Sequence, residues 1–301
     1  MIEKINTALE HLNTVGYYKI NIKDVLDQEG LDMFNNNIEF FDDMLSSPQI
    51  QSEFETIHTN PQLRMEKSGG KPFEITHYDY LNRALTANDG SFIKIHLHDY
   101  FTKIAQKFLE VDNPLLFNVL AWMHTWKKGY PRMHSQNWHR DREDFKLLKI
   151  FTYYSDVEKE NGPFEYVPKS FCGGDFYGLF EGRTTYQDYA SDDENRGAPK
   201  SQAEVDKCES TKVVFTGKPG DIIMTNNSGF HRGGFVEEGI RVISHALYLR
   251  PDAYMVGKPK EGLIDTGVYP NFNFASDRIN YIDTNSKEWE QLGDKQKHFL
   301  I

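Results

Sequence analysis

The feature that most constrains the fold is a series of short apolar segments in the second half of the chain. Clusters of Gly, Pro, Asn and Asp separate these segments from one another. Short strands bounded by turn-forming residues are typical of a β-sandwich or a β-barrel. The pattern therefore predicts a mainly β core, with strands within residues 115–126, 147–154, 213–215, 222–224 and 242–249.

The first part of the chain has a helical pattern instead. Apolar residues recur at helical spacing over residues 2–13, 23–46 and 95–111, and a short strand is expected at 16–20. We therefore expect helices to pack beside the β core.

We interpret residues 1–301 as one domain. A mostly helical support at 1–113 precedes a β core at 114–250, and an extension follows at 251–301. Residues 171–212 interrupt the strand pattern with several glycines and an acidic run. Long insertions of this kind are either solvated surface segments or functional lids, and both interpretations remain open at this point.

Composition argues against several classes of partner. The chain carries 45 acidic and 34 basic residues, for a net charge of −11, and it has no Lys/Arg cluster of the kind that binds nucleic acid. Its two cysteines form no CxxC motif, which fits a reducing compartment. No segment approaches the ~20 apolar residues that span a bilayer. We predict a cytoplasmic protein that binds neither nucleic acid nor membrane; the sequence does not determine its oligomeric state.

Two H-x-D pairs raise the question of a metal site. With 11 His and 45 acidic residues, roughly one or two such pairs arise by chance, so position must decide between them. On a strand, residues i and i+2 point to the same face, so His139 and Asp141 would aim at one point. This pair leads into the strand series and is preferred. His77 and Asp79 lie upstream, either in an ordinary polar region or at a substrate entrance.

A metal site with two histidines and one carboxylate needs one histidine in addition to the His139–Asp141 pair. Such a site leaves open positions for substrate and oxygen. His231 is the best candidate, because it follows a turn and a predicted strand, GDIIMTN. Arg241 opens the next predicted strand, where its guanidinium can hold a carboxylate through paired N–H donors.

Other residues near these motifs receive simpler roles. Trp138 either packs in the core or orients a ligand histidine. The remaining histidines near the motifs are interpreted as structural (His124, His134, His245), and those at the start of the helix predicted at 95–111 as surface residues (His96, His98).

The motifs together resemble the phytanoyl-CoA dioxygenase family of Fe(II)/2-oxoglutarate oxygenases over about residues 10–250. NTVGYY at 13–18 resembles the opening strand of that family, and WHRD at 138–141 resembles its iron motif. ENGPFEYVPKS at 160–170 resembles a turn and strand that come next, and GDII at 220–223 precedes the distal histidine. H-x-D alone is unspecific, whereas the ordered set is specific.

The resemblance implies a double-stranded β-helix, a jelly-roll-like core with flanking helices. It implies that His139, Asp141 and His231 are the catalytic iron ligands and bind Fe(II), and that Arg241 pairs with the distal carboxylate of 2-oxoglutarate. The implied activity is hydroxylation of an unactivated C–H bond of a small molecule, with O2 as co-substrate and 2-oxoglutarate converted to succinate. Related halogenases have Gly or Ala at the position of Asp141, so the carboxylate favours hydroxylation, desaturation or a related oxidation instead of halogenation.

The chain departs from the family pattern at three positions. Lys169 and Phe171 replace the usual Gly and His of a P-G-S-H motif, and Gly233 stands where many members have Ser. These changes spare the predicted iron ligands. Two other interpretations remain open: a non-catalytic jelly-roll binding protein with a relic metal site, and an oxygenase that modifies a protein side chain.

Overall fold

The computed structural model describes residues 1–68, 73–76, 91–112, 114–141, 143–177, 197–250 and 253. His77, Asp79, residues 178–196 of the insertion and nearly all of the extension at 251–301 lie outside this part of the chain. The described helices are α1 (Ile2–Thr14), α2 (Gln28–Ser46), α3 (Pro48–Thr59), α4 (Pro61–Ser68), α5 (Ser91–His96), α6 (Asp99–Leu109) and α7 (Gln202–Thr211). None of them is both long enough and apolar enough to cross a bilayer.

The described strands pair antiparallel in two sheets. They are β1 (Tyr17–Asn21), β2 (Glu74–Thr76), β3 (Leu115–His124), β4 (Leu148–Tyr153), β5 (Phe164–Tyr166), β6 (Val213–Phe215), β7 (Asp221–Asn226), β8 (His231–Arg232) and β9 (Arg241–Leu249). The larger sheet has the order β1-β7-β4-β9-β3-β2, and the smaller has the order β6-β5-β8. The predicted strand series is confirmed, since each of the five apolar segments overlaps one of these strands: three segments contain their strand or match it, and those at 222–224 and 242–249 lie within β7 and β9.

The larger sheet is covered on both faces. On β4, Leu148 and Ile150 belong to the apolar cluster shared with the helices, whereas Phe151 and Tyr153 pack with residues of the smaller sheet. A strand buried on both faces has no solvent side for polar residues to occupy. This explains why LLKIFTYY reads as a nearly continuous apolar run instead of an alternating pattern.

Two expectations for the helical part are wrong. The single helix predicted at 95–111 is divided into α5 and α6, because the His98 Nδ1 accepts a hydrogen bond from the Tyr100 N–H and begins a new helix there. His96, expected at the surface, is fully buried at the end of α5. Its burial lowers the pKa of the ring to about 3, so the side chain is neutral.

We predict that Gly16→Ala destabilises the fold by about 2–5 kcal/mol. Gly16 has a φ of +89°, where a side chain costs about 1–2 kcal/mol, and overpacking adds about 1–3 kcal/mol. A Cβ there would collide with the Tyr166 hydroxyl and lie 2.6 Å from Phe171 Cδ1. Gly129→Ala is the matched control, because Gly129 has a φ of +84° with nothing within 4 Å of an added Cβ. Urea unfolding checks this; equal losses for both variants would contradict the packing argument.

Candidate metal centre

The peptide groups of His139 and His231 bring these residues face to face. The His139 N–H donates to the His231 carbonyl at 3.0 Å, and the His231 N–H donates to the His139 carbonyl at 2.9 Å. The Asp141 N–H extends the pairing by donating to the Asn227 carbonyl at 2.9 Å. The strand predicted at 139–141 is therefore not a regular strand; it is an isolated antiparallel bridge. The expected geometry survives, because this bridge sets both side chains of the pair toward His231.

One ligand atom from each of His139, Asp141 and His231 lies within 4.8 Å of the other two. Asp141 Oδ1 is 3.8 Å from the His139 Nε2 and 3.5 Å from the His231 Nε2. The predicted triad is thus brought together around a point that one cation can occupy. Two imidazoles and one carboxylate on one side are the donor set of non-haem Fe(II) sites with open positions.

The main chain orients both imidazoles. The His139 Nδ1 lies 2.8 Å from the Asn137 carbonyl, and the His231 Nδ1 lies 2.9 Å from the Gly229 carbonyl. A carbonyl oxygen only accepts, so each Nδ1 carries the proton and each Nε2 has a lone pair on the side of Asp141; in this structure Asn227 Nδ2 lies 3.1 Å from the His231 Nε2. Burial, together with the neighbouring His231, lowers the pKa of His139 to about 3, so its ring is neutral at physiological pH.

The two oxygens of Asp141 have different partners. Oδ2 accepts hydrogen bonds from Lys149 Nζ at 2.5 Å and from Asn227 Nδ2 at 2.9 Å, which leaves Oδ1 facing the imidazoles. Burial alone would raise the pKa of Asp141, but Lys149 and the two histidines hold it well below its usual range. The carboxylate is therefore ionised before any metal binds. Sequence reasoning missed Lys149; its signal was a lysine inside the apolar run LLKIFTYY.

A second ion-pair network is centred on Arg232, the residue that follows His231. Arg232 donates to Glu165 at 2.7 Å and to Glu209 of α7 at 2.6 Å, and its guanidinium lies 4.3 Å from the centre of the Trp138 ring. Trp138 Nε1 also donates to Glu209, at 3.0 Å. Trp138 thus packs on Arg232, while main-chain carbonyls orient the ligand histidines. The described part of the insertion is anchored through α7; whether residues 178–196 form a lid stays a prediction.

Arg241 is 4% exposed at the start of β9. Its Nη2 lies 3.1 Å from the His124 Nδ1, whereas Nε and Nη1 have no hydrogen-bond partner among the described residues. A Cβ built on Gly233, two residues after His231, would lie 3.4 Å from the Arg241 Nη2, so this guanidinium neighbours the segment that carries His231. Buried donors without partners are costly, so these two nitrogens remain available to donate hydrogen bonds to a further group.

The remaining histidines have the following places. His124, interpreted as structural, contacts Arg241 directly. His245 packs its ring edge to face against Trp122, with 4.4 Å between centroids. His134 lies in a short 3-10 turn.

No family model matches this chain, and no match is found among curated proteins. Among solved structures, the chain is similar to SnoN, the non-heme alpha ketoglutarate dependent epimerase from nogalamycin biosynthesis. The TM-score is 0.53 at 14% identity, over 90% of this chain and 91% of SnoN. A SnoN complex with Fe3+, alpha ketoglutarate and nogalamycin RO gives 0.50 at 15% identity, over 84% and 86%.

HygX from Streptomyces hygroscopicus, with nickel and 2-oxoglutarate bound, gives a TM-score of 0.48 at 17% identity, over 82% of this chain and 87% of HygX. That score is too low to add to the argument. The likeness to SnoN shows a shared fold, and the predicted double-stranded β-helix with flanking helices is confirmed.

We expect one Ni(II), used as a redox-stable probe, to bind per chain, and Asp141→Ala to weaken this binding more than about 100-fold. Mutating a group that merely orients a metal ligand typically weakens metal affinity about 10- to 100-fold, so removing a ligand itself should weaken the affinity more. Isothermal titration calorimetry measures the effect. Asp156→Ala is the control, because Asp156 is an exposed carboxylate paired with Lys218. Equal Ni(II) affinity in both variants would contradict the proposed ligand set.

We expect Lys149→Met to lower the free energy of unfolding of the metal-free protein by about 3–5 kcal/mol, because Asp141 is left buried without its counter-charge. Ni(II) supplies a positive charge at the same carboxylate, so the deficit relative to wild type shrinks when the metal is added. Lys218→Met, at an exposed lysine paired with Asp156 and Glu158, should leave the stability nearly unchanged. Urea unfolding with and without Ni(II) tests both points, and a metal-independent deficit would count against them.

Proposed function

We propose that this protein is an Fe(II)- and 2-oxoglutarate-dependent dioxygenase that hydroxylates an unactivated C–H bond of a small molecule. In this reaction the substrate R–H, O2 and 2-oxoglutarate give R–OH, succinate and CO2. One observation carries the proposal: the oriented His139–Asp141–His231 set occurs together with a buried Arg241 that neighbours Gly233, two residues after His231, and whose Nε and Nη1 are without partners among the described residues.

The donor set fits iron. Both Nε2 lone pairs and Asp141 Oδ1 converge, and the opposite side of the metal would be left for exchangeable ligands. Bound iron would supply the activation of O2 at the expense of 2-oxoglutarate. The protein would contribute the ligands: two imidazoles in fixed tautomers, and the Asp141 carboxylate. Lys149 and Asn227 hold Oδ2 of that carboxylate by hydrogen bonds.

Arg241 fits the distal carboxylate of 2-oxoglutarate. A guanidinium pairs with a carboxylate through two parallel N–H donors, and burial strengthens that pair. The side chains of Trp122, Phe151 and Phe164 belong to one apolar cluster between the two sheets. An apolar cluster of this kind excludes water. Lys149 is paired with Asp141, so Arg241 is the cation that would receive the carboxylate of the co-substrate.

The comparisons support the same chemistry at the level of fold. SnoN is described as alpha ketoglutarate dependent and has been solved with Fe3+. SnoN is an epimerase, so the hydroxylation outcome rests on the sequence motifs and on Asp141. Those ordered motifs also support placing the chain in the phytanoyl-CoA dioxygenase family. The net charge of −11 favours a neutral or cationic small-molecule substrate through electrostatic steering.

The test is formation of succinate from 2-oxoglutarate by protein purified without oxygen, with and without a metabolite pool. We expect turnover to require Fe(II) and to increase with a pool fraction that contains the substrate. Asp141→Ala should abolish it, and Arg241→Gln should raise the KM for 2-oxoglutarate by about 100-fold, since a charge-assisted pair is lost. Asp156→Ala should behave as wild type.

Anaerobic titration separates this proposal from a non-catalytic binding protein. Wild-type protein that binds neither Fe(II) nor 2-oxoglutarate would overturn the dioxygenase assignment.

A further inference from the structure

Three polar side chains form a row across the edge of the larger sheet. Glu74 of β2 is directly opposite His124 of β3, and His124 is directly opposite Arg241 of β9. Directly opposed residues of antiparallel strands have neighbouring Cβ atoms, so their side chains meet. All three are buried, with exposures of 4%, 5% and 4%. A buried polar row in an apolar sheet is costly unless its members satisfy one another.

The contacts in this row determine where its hydrogens are. Arg241 Nη2 lies 3.1 Å from the His124 Nδ1, and a guanidinium can only donate. The His124 Nδ1 therefore accepts, and the ring proton must be on Nε2. His124 Nε2 lies 3.3 Å from Glu74 Oε1, so its N–H is next to the Glu74 carboxylate. Glu74 thus selects the one neutral tautomer of His124 that can receive Arg241.

The row is fixed at its outer end by the helical layer. Arg64 of α4 donates from Nη2 to the Glu74 carbonyl at 2.7 Å, and its Nη1 lies 3.1 Å from Glu53 Oε2 of α3. The ring of His124 is stacked on Trp122 at 5.8 Å between centroids. Glu74 and His124 are therefore held by groups that belong to the scaffold, and Arg241 is the free end of the row.

We propose that His124 and Glu74 are positioning residues that aim Arg241 at the distal carboxylate of 2-oxoglutarate. The inference rests on the proposed function of Arg241. Nη2 carries two hydrogens and gives one to His124. One edge of the guanidinium, shared by Nη2 with either Nε or Nη1, remains for a carboxylate. Gly233 has no side chain to contact Nη2, whereas His124 Nδ1 lies 3.1 Å from it.

The test is the dissociation constant of 2-oxoglutarate for the Ni(II)-loaded protein, measured by calorimetry without turnover. His124→Phe should weaken 2-oxoglutarate about 10- to 100-fold, as expected for groups that orient a binding residue, and should leave Ni(II) affinity within about twofold. His124→Asn keeps an acceptor near the position of Nδ1 and should recover part of the loss. His58→Phe is the matched control, because His58 contacts Thr125 and not Arg241.

A double-mutant cycle with Arg241→Gln separates positioning from a general structural role. If His124 acts through Arg241, His124→Phe adds nothing once Arg241 has been replaced. Equal fold losses in both backgrounds, or wild-type affinity in His124→Phe, would overturn the proposal. If His124→Phe does not fold, Glu74→Leu replaces it in the cycle, because it removes the oxygen next to His124 Nε2 and leaves the His124 ring in the protein. Failure of the wild-type protein to bind 2-oxoglutarate would instead overturn the proposed function.

Discussion

The metal centre depends on one exchange of hydrogen bonds between two peptide groups, those of His139 and His231. These residues are distant in sequence, and the isolated bridge between them sets the separation of their rings, whose centroids are 4.3 Å apart. A further hydrogen bond, from the Asp141 N–H to the Asn227 carbonyl, ties Asp141 to the segment that precedes His231. Because main-chain hydrogen bonds define this geometry, the three donors are placed by the fold before any metal contributes energy.

The site also requires that the charges of its buried side chains be compensated. Asp141, Lys149 and Arg241 are charged groups inside a core, and each buried charge carries a desolvation penalty that only a partner offsets. Lys149 provides this partner for Asp141. On the side of Arg241, Glu74 provides a negative charge through its contact with His124. These four charges therefore balance, two positive and two negative, although the whole chain carries a net charge of −11.

The sequence predicts the strands and the triad because both have local signals: apolar runs between turn residues, and an H-x-D pair followed by a histidine after GDIIMTN. It does not predict that Lys149 reaches Asp141, or that Glu74 and His124 lie beside Arg241. Those contacts depend on strand register, and register is set by pairing between distant segments. The prediction that His96 lies at the surface is wrong for a related reason. The break at His98 changes which face of the helix meets the core.

Each imidazole of the triad is oriented by the carbonyl two residues before it, and these contacts are local. The bridge that joins the two histidines is a long-range contact. A transient separation of the two segments therefore breaks the bridge and leaves both imidazoles in the correct tautomer. Such a local opening, short of global unfolding, leaves each half of the cluster with its imidazole already oriented.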